Sequence, residues 1–262
     1  MRLELRNVSC GYDKSRPLLR GVQFAVKTGQ ICCLLGPNGI GKTTLFKTIL
    51  GLLKPLDGKL TIDGEDITSW PASKMAKYVA YVSQFHNPPF PYRVRDVVLL
   101  GRVSNTGYFG KVSEMDYRVA EKAIDDLGLT HLRDTVYTDI SGGERQLVMI
   151  ARALAQEPRW LVMDEPTANL DYGNMVRVIK KIRELRENGY GIILTTHSPD
   201  QAFMYESNVA LLRRGAPLVH GPAADIITEL NMRLAYGAEV RIIEYFDPGG
   251  RLVRMCAPKF QT

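Results

Sequence analysis

The run Gly36-Pro37-Asn38-Gly39-Ile40-Gly41-Lys42-Thr43-Thr44 combines spaced glycines, one lysine and two adjacent hydroxyls, the residue types needed to hold a chain of phosphates. It follows an unbroken apolar stretch, Ile31 to Leu35, and precedes a helix-like segment beginning Leu45-Phe46. A fully apolar run of this length suits a strand buried on both faces of a parallel sheet. The glycines let the backbone curl so that successive N–H groups face inward, making an anion nest at a helix N-terminus. Lys42 can then reach β and γ phosphates, and the Thr43 hydroxyl is placed to ligate Mg²⁺. The plainer alternative for the same residues is a Gly-rich turn between strand and helix.

A second group lies far downstream. Trp160-Leu161-Val162-Met163-Asp164-Glu165-Pro166 puts two acids at the C-terminal end of an apolar strand, where ligands bind in open α/β sheets. Asp164 would hold Mg²⁺ directly or through its water shell, and Glu165 is positioned to polarise an attacking water as general base. Taken alone, the pair could equally be a solvated strand end. A third group, Ile140-Ser141-Gly142-Gly143-Glu144-Arg145-Gln146, leads into Leu147 to Ala153 and opens a helix whose exposed N–H groups and Ser141 hydroxyl form another anion site. Ser141 in isolation is an ordinary N-cap.

These groups need a scaffold, and the pattern between them indicates one. Leu3 to Val8, Val22 to Val26 and Leu60 to Ile62 read as strands separated by Gly11, Gly29, Asp57-Gly58 and Asp63-Gly64, an early antiparallel sheet. Tyr78 to Val82, Leu161 to Met163 and Gly191 to Thr195 read as strands spaced by helices, a parallel helix-covered core. Met175, Ile179, Ile182 and Leu185 recur at helical spacing until Asn188-Gly189. Between Gln84 and Gln156 a Pro-rich loop is followed by helices, including Ser113 to Leu127. From about Gly221 a short helical stretch precedes a hairpin of Val240 to Glu244 and Leu252 to Met255 around Asp247-Pro248-Gly249-Gly250.

Composition narrows the class. With 262 residues and 45% apolar content, the chain can bury a core as one large domain or a core with a subdomain. Its net charge of +6 is scattered, so nucleic acid binding is not required. Cys10, Cys32, Cys33 and Cys256 show neither metal nor disulfide spacing, which fits a reducing cytoplasm. Met1 to Leu5 alternates like a strand rather than a signal peptide, and no apolar run approaches the roughly 20 residues of a membrane helix. Any membrane role is expected to come from a partner.

The string from Ile140 to Ala153 resembles the signature motif of ABC transporter ATPases, and the other groups stand in that family's order over nearly the whole chain. The resemblance implies an α/β fold: a P-loop NTPase core of ABC type with an N-terminal antiparallel β-subdomain and a helical subdomain insertion. The corresponding division is 1–85 with 157–220 for the nucleotide-binding core and β-subdomain, 86–156 for the helical signature subdomain, and 221–262 for a small C-terminal extension. It implies ATP and Mg²⁺ as ligands. It also implies a homodimer that sandwiches ATP head to tail, so that Ser141, Gly142, Gly143 and Glu144 approach the γ-phosphate held by the other subunit's loop, residues Gly36 to Thr44. Glu144 stands where many members have Gln.

Further residues match family positions. Tyr12 corresponds to the adenine-stacking aromatic, Gln84 to the glutamine that senses Mg²⁺ and the attacking water, and Asp171, in Asn169-Leu170-Asp171, to the loop crossing the dimer interface. Asp171 would also cap the following helix. His197 falls at the switch histidine that contacts the γ-phosphate, ahead of Ser198-Pro199, an expected N-cap and first helical residue. His86, His131 and His220 are expected at the surface.

Val94 to Arg102, Asp125 to Leu129, Thr195 to Ala202 and Gly221-Pro222-Ala223 resemble ATPases serving metal-chelate uptake, for iron-siderophore, haem, cobalamin or molybdate. This group implies a multispanning membrane permease as partner, a substrate-binding protein acting indirectly, no nucleic acid, and a peripheral position on the cytoplasmic face of the inner membrane. Iron chelates lead as cargo because they are the group's commonest. The competing classes are a soluble ABC protein acting on ribosomes or DNA and a nucleotide-binding scaffold without turnover. Pro88-Pro89-Phe90-Pro91-Tyr92 presents two aromatics beside Gln84, either pinning the loop to the core or forming a docking surface for the permease.

Overall fold

Alternating apolar residues in the first ten positions place Leu3, Leu5 and Val8 on one buried face of strand β1 (Arg2–Cys10). The computed structural model describes residues 1–84, 90–103 and 111–259. β1 pairs antiparallel with β2 (Leu19–Lys27) and β4 (Asp57–Ile62), and β5 (Glu65–Asp66) completes a sheet of order β2-β1-β4-β5. Asp63 and Gly64 both take positive φ, 48° and 89°, as a two-residue hairpin turn matched to strand twist requires.

The second sheet holds the site. Its order is β10-β9-β3-β8-β7-β6, from β3 (Ile31–Leu35), β6 (Val79–Val82), β7 (Trp160–Met163), β8 (Gly191–Thr195), β9 (Asn208–Arg213) and β10 (Ala216–Pro222). Pairing is parallel from β9 to β6, and β10 is antiparallel at the edge. β3, β7 and β8 are buried along their whole length, as their unbroken apolar runs predict. Side-chain alternation divides them between two cores. Cys32, Leu34, Val162 and Ile193 pack with the antiparallel sheet and with helix α1 (Lys42–Ile49), while Cys33, Leu35, Leu161 and Leu194 pack with helices on the other face.

Those helices are α3 (Val94–Leu99), α4 (Glu114–Asp126), α5 (Gly142–Leu154) and α6 (Tyr172–Glu187); a short α2 (Ala72–Met75) precedes β6. Val178, Ile179, Ile182 and Leu185 bury one stripe of α6, and Asn188 and Gly189 end it. After β8 come α7 (Pro199–Met204), then α8 (Ala223–Ile226), α9 (Glu229–Tyr236) and a hairpin of β11 (Val240–Phe246) and β12 (Leu252–Pro258).

Three elements depart from the sequence expectation. α1 begins at Lys42 rather than Leu45, because Gly41 at φ 111° turns the chain directly into the helix. β9 and β10 were not anticipated; β9 is a short apolar run, which periodicity alone cannot distinguish from helix. Cys10, Cys32, Cys33 and Cys256 are free thiols. His131 and His220 are exposed, although the His220 ring rests on Phe24 at 5.7 Å and burial lowers its pKa. His86, Pro88 and Pro89 lie outside the described residues. No helix among the described residues is long and apolar enough to cross a membrane.

Candidate active site

Register aligns the C-terminal ends of four parallel strands. Leu34 of β3 lies opposite Thr195 of β8, Leu194 of β8 opposite Met163 of β7, and Met163 opposite Val82 of β6. The segments that leave these strands, beginning at Gly36, Thr196, Asp164 and Ser83, therefore emerge side by side along one edge, where an open parallel sheet binds ligands.

The loop after β3 is shaped by Gly39 and Gly41, at φ 75° and 111°. Ile40 and Thr44 turn inward and anchor it, while Asn38 and Thr43 stay exposed. The first-turn N–H groups of α1 have no intrahelical acceptor and face the loop. Lys42, the first residue of that helix, is buried, and its Nζ donates to the Gly36 carbonyl at 2.6 Å and the Pro37 carbonyl at 3.2 Å. Burial lowers its pKa against the opposing pull of Glu165 and Asp164. An ammonium folded back on its own loop carbonyls, near two carboxylates, is stored where an incoming phosphate would recruit it.

β7 delivers the acids. In an extended chain, adjacent side chains would point to opposite faces, but Glu165 takes φ +48° and redirects the backbone. Its Oε2 accepts from Gln84 Nε2 at 3.0 Å, and its Oε1 contacts His197 Nε2. Asp164 Oδ1 accepts from the Thr195 hydroxyl at 2.6 Å, and the same Thr195 oxygen accepts from the Glu165 N–H at 2.9 Å. Tyr81 points its hydroxyl at Asp164 Oδ2 from 3.4 Å, with its pKa raised to about 12 by burial first and by the Asp164 charge second. Lys42, Gln84, the adjacent pair Asp164 and Glu165, and His197, from four separate segments, thus meet in one cluster.

Thr195 and Tyr81 belong to this cluster and escaped the sequence reading. A β-branched or aromatic residue in a strand is the default occupant of a pleated surface, so residue type carried no signal. The available clue was position, because Thr195 and Tyr81 sit at the ends of the strands that carry His197 and Gln84.

The third group lies elsewhere. Ser141 caps α5 in a reciprocal box: the Glu144 N–H donates to the Ser141 hydroxyl at 3.3 Å, and Glu144 Oε2 accepts from the Ser141 hydroxyl and N–H at 2.6 and 2.8 Å. These bonds, the hydroxyl first, lower the Glu144 pKa. Asp171 caps α6, accepting from the Asn174 N–H at 2.8 Å and its side-chain amide at 2.7 Å. The Asn174 side chain in turn covers Gly143, where an added Cβ would lie 2.3 Å from its oxygen. Gly142 and Ser141 remain exposed. Among the described residues no hydrogen bond or ion pair joins Ser141 or Asp171 to the Gly36–Thr44 loop.

Tyr12, 68% exposed, stands beside the last turn of α1, where Lys47 Nζ donates to its hydroxyl at 3.1 Å and lies 5.7 Å from the ring centroid. Among the described residues no group of three His, Cys, Asp or Glu side chains could hold a metal ion. The Asp164 carboxylate of the cluster and the exposed Thr43 hydroxyl, next to Lys42 in the first turn of α1, are hard oxygens of the kind that bind Mg²⁺ together with phosphate oxygens and water, and they fit that ion.

The family model described as ABC transporter matches residues 19–168. Molybdate import ATP-binding protein MolC of Haemophilus influenzae is 34% identical over 88% of this chain and 86% of its own length. Hemin import ATP-binding protein HmuV of Hahella chejuensis is 34% identical over 88% and 91%. A solved transporter described as metal-chelate type, in an inward-facing conformation, superposes with a TM-score of 0.87 at 30% identity, over 99% of this chain and 98% of that one.

Proposed function

Because the chain belongs to the ABC transporter family as an ATP-binding ATPase, we propose that it powers a metal-chelate importer, with iron complexes such as haem as the leading cargo, through ATP-driven head-to-tail pairing of two copies. The observation that carries this reading is the convergence of Lys42, Gln84, Asp164, Glu165 and His197 on one sheet edge. ATP phosphates occupy the loop from Gly36 to Thr44, and Lys42 exchanges the Gly36 carbonyl for β and γ oxygens. Thr43 and Asp164, with Gln84 nearby, would hold Mg²⁺, which would supply charge neutralisation of the phosphates.

Glu165, fixed between Gln84 and His197, orients and deprotonates the attacking water, and His197 faces the γ-phosphate. Tyr12 stacks on adenine. Ser141, Gly142, Gly143 and Glu144, remote from the loop of their own chain, complete the site of a second copy, and Asp171 borders that interface. Ser141 must then turn its hydroxyl from Glu144 to phosphate. Residues 86–156 act as the subdomain carrying this signature, with 1–85 and 157–220 as the nucleotide core and 221–262 as an extension. The assembly works at the cytoplasmic face of the inner membrane with a multispanning permease, which a substrate-binding protein supplies. The MolC and HmuV names support this group of cargoes and divide between an oxyanion and an iron chelate.

Glu165→Gln tests the reading. Turnover should fall by roughly 10²- to 10⁴-fold with ATP binding kept, and sizing chromatography with ATP and Mg²⁺ should show a trapped dimer. Lys42→Ala should lose ATP binding itself. A monomeric Glu165→Gln chain under those conditions would count against the head-to-tail site.

A further inference from the structure

We propose that Tyr236, in the C-terminal extension, is a positioning residue for the phosphate-binding loop, holding its first residue in place while Lys42 changes partner. Its hydroxyl accepts a hydrogen bond from the Gly36 N–H at 2.9 Å, across 200 residues of sequence. Tyr236 is the last residue of α9, which starts at a Thr228 cap and stops at Gly237 in the left-handed conformation, so the ring is presented at a fixed helix end. Met232 and Ala235 bury the helix in the core.

Gly36 has little freedom otherwise. It is buried against β9, and an added Cβ would stand 2.9 Å from Leu212 Cβ and 3.0 Å from the Leu212 carbonyl. Its register partner ladder with β9 ends at Leu35, so its N–H projects past the sheet and finds the phenol instead of a neighbouring strand. Its carbonyl accepts from Lys42. Both polar groups of one loop residue are therefore held by side chains, one from the extension and one from the catalytic cluster. On the phosphate-loop reading proposed above, on which this inference rests, nucleotide binding withdraws Lys42 and leaves Tyr236 as the side-chain restraint on Gly36.

The extension has a second hold on the same edge. The Cys256 N–H in β12 donates to Asp200 Oδ1 at 2.6 Å, in the first turn of α7, directly after the His197 loop. Segments leaving β3 and β8 are thereby braced by one C-terminal unit. Burial pushes the Tyr236 phenol up to about 12, against the opposing pull of the Gly36 N–H that it accepts.

Tyr236→Phe keeps the ring and removes the acceptor. Because the loop must then be ordered by the nucleotide, apparent affinity falls in proportion to the competent fraction. The full chain is compared with this variant by steady-state ATP turnover, ADP titration calorimetry and amide exchange at Gly36. Expected are a roughly tenfold rise in KM and in the ADP Kd, kcat within about twofold, and faster exchange of the Gly36 amide. Unchanged KM and Kd, or a fall in kcat with KM unaltered, would overturn the proposal. Lys42→Ala, measured in parallel, separates the two readings. Normal ATP binding in that variant overturns the phosphate-loop reading and this inference with it. Lost binding there with unaltered affinity in Tyr236→Phe overturns the Tyr236 role alone.

Discussion

Thr195 joins two consecutive acids with one hydroxyl, donating to Asp164 and accepting from the Glu165 N–H while fully buried. Valine has the same shape and neither bond. Thr195→Val should leave the Glu165 N–H without a partner at the residue whose backbone already sits at φ +48°. The expected cost is about 1–3 kcal/mol of folding stability, read as a lowered urea midpoint, and the loosened Glu165 should lower kcat with KM for ATP little altered, read by phosphate release. Residues 36–44 and 164–165 were legible in the sequence because their geometry is local: a loop, its helix start and a strand end. Thr195 and Tyr81 were not, because their contacts with Asp164 arise from register between β6, β7 and β8, which no local pattern encodes.

Among the helices, α4 shows how local chemistry fixes an element. Ser113 and Asp116 form a capping box, and Asp116 also accepts from Arg102 Nε at 2.9 Å, a buried guanidinium that also donates to the Ala155 carbonyl. The Ser113 hydroxyl, then its N–H, then Arg102 pull the Asp116 carboxyl down to about 2. A carboxylate depressed on folding stabilises the native chain above its unfolded pKa of about 4, and that contribution is lost as pH falls through the folded value. The urea midpoint of Asp116→Asn should therefore lie below that of the parent at pH 7, begin to converge with it as pH falls below about 4, and match it only below about pH 2. An Asp116→Asn chain whose midpoint stayed parallel to the parent's through this window would disprove the linkage. The helix from Ser113 to Leu127 was legible from its cap and its stop at Gly128, whereas its tie to Arg102, 14 residues from Asp116 in sequence, was not.

At the scale of the whole molecule, the alternatives for Phe90 and Tyr92 are pinning their segment to the core or presenting a surface to a partner. The backbone does the pinning: the Tyr137 N–H donates to the Tyr92 carbonyl at 2.9 Å and the Val94 N–H to the Thr135 carbonyl at 3.0 Å. The rings, edge to face at 6.0 Å, are 61% and 39% exposed, so they contribute little to the core. The double variant Phe90→Ala, Tyr92→Ala should stay within about 0.5 kcal/mol of parental stability, retain basal ATP turnover, and fail to assemble with a permease in reconstituted vesicles. Normal assembly would sink the docking role. The two-core layout makes a different kind of statement. Cys32 and Cys33 are consecutive, yet one thiol faces the antiparallel sheet and α1 while the other faces the helical layer and accepts from Ser207 at 3.1 Å. Burial raises the pKa of both, so neither reacts until its own layer lifts. Thiol labelling of the strand that feeds the phosphate loop would therefore read the two layers separately, Cys32 reporting exposure on one side and Cys33, one peptide bond away, on the other.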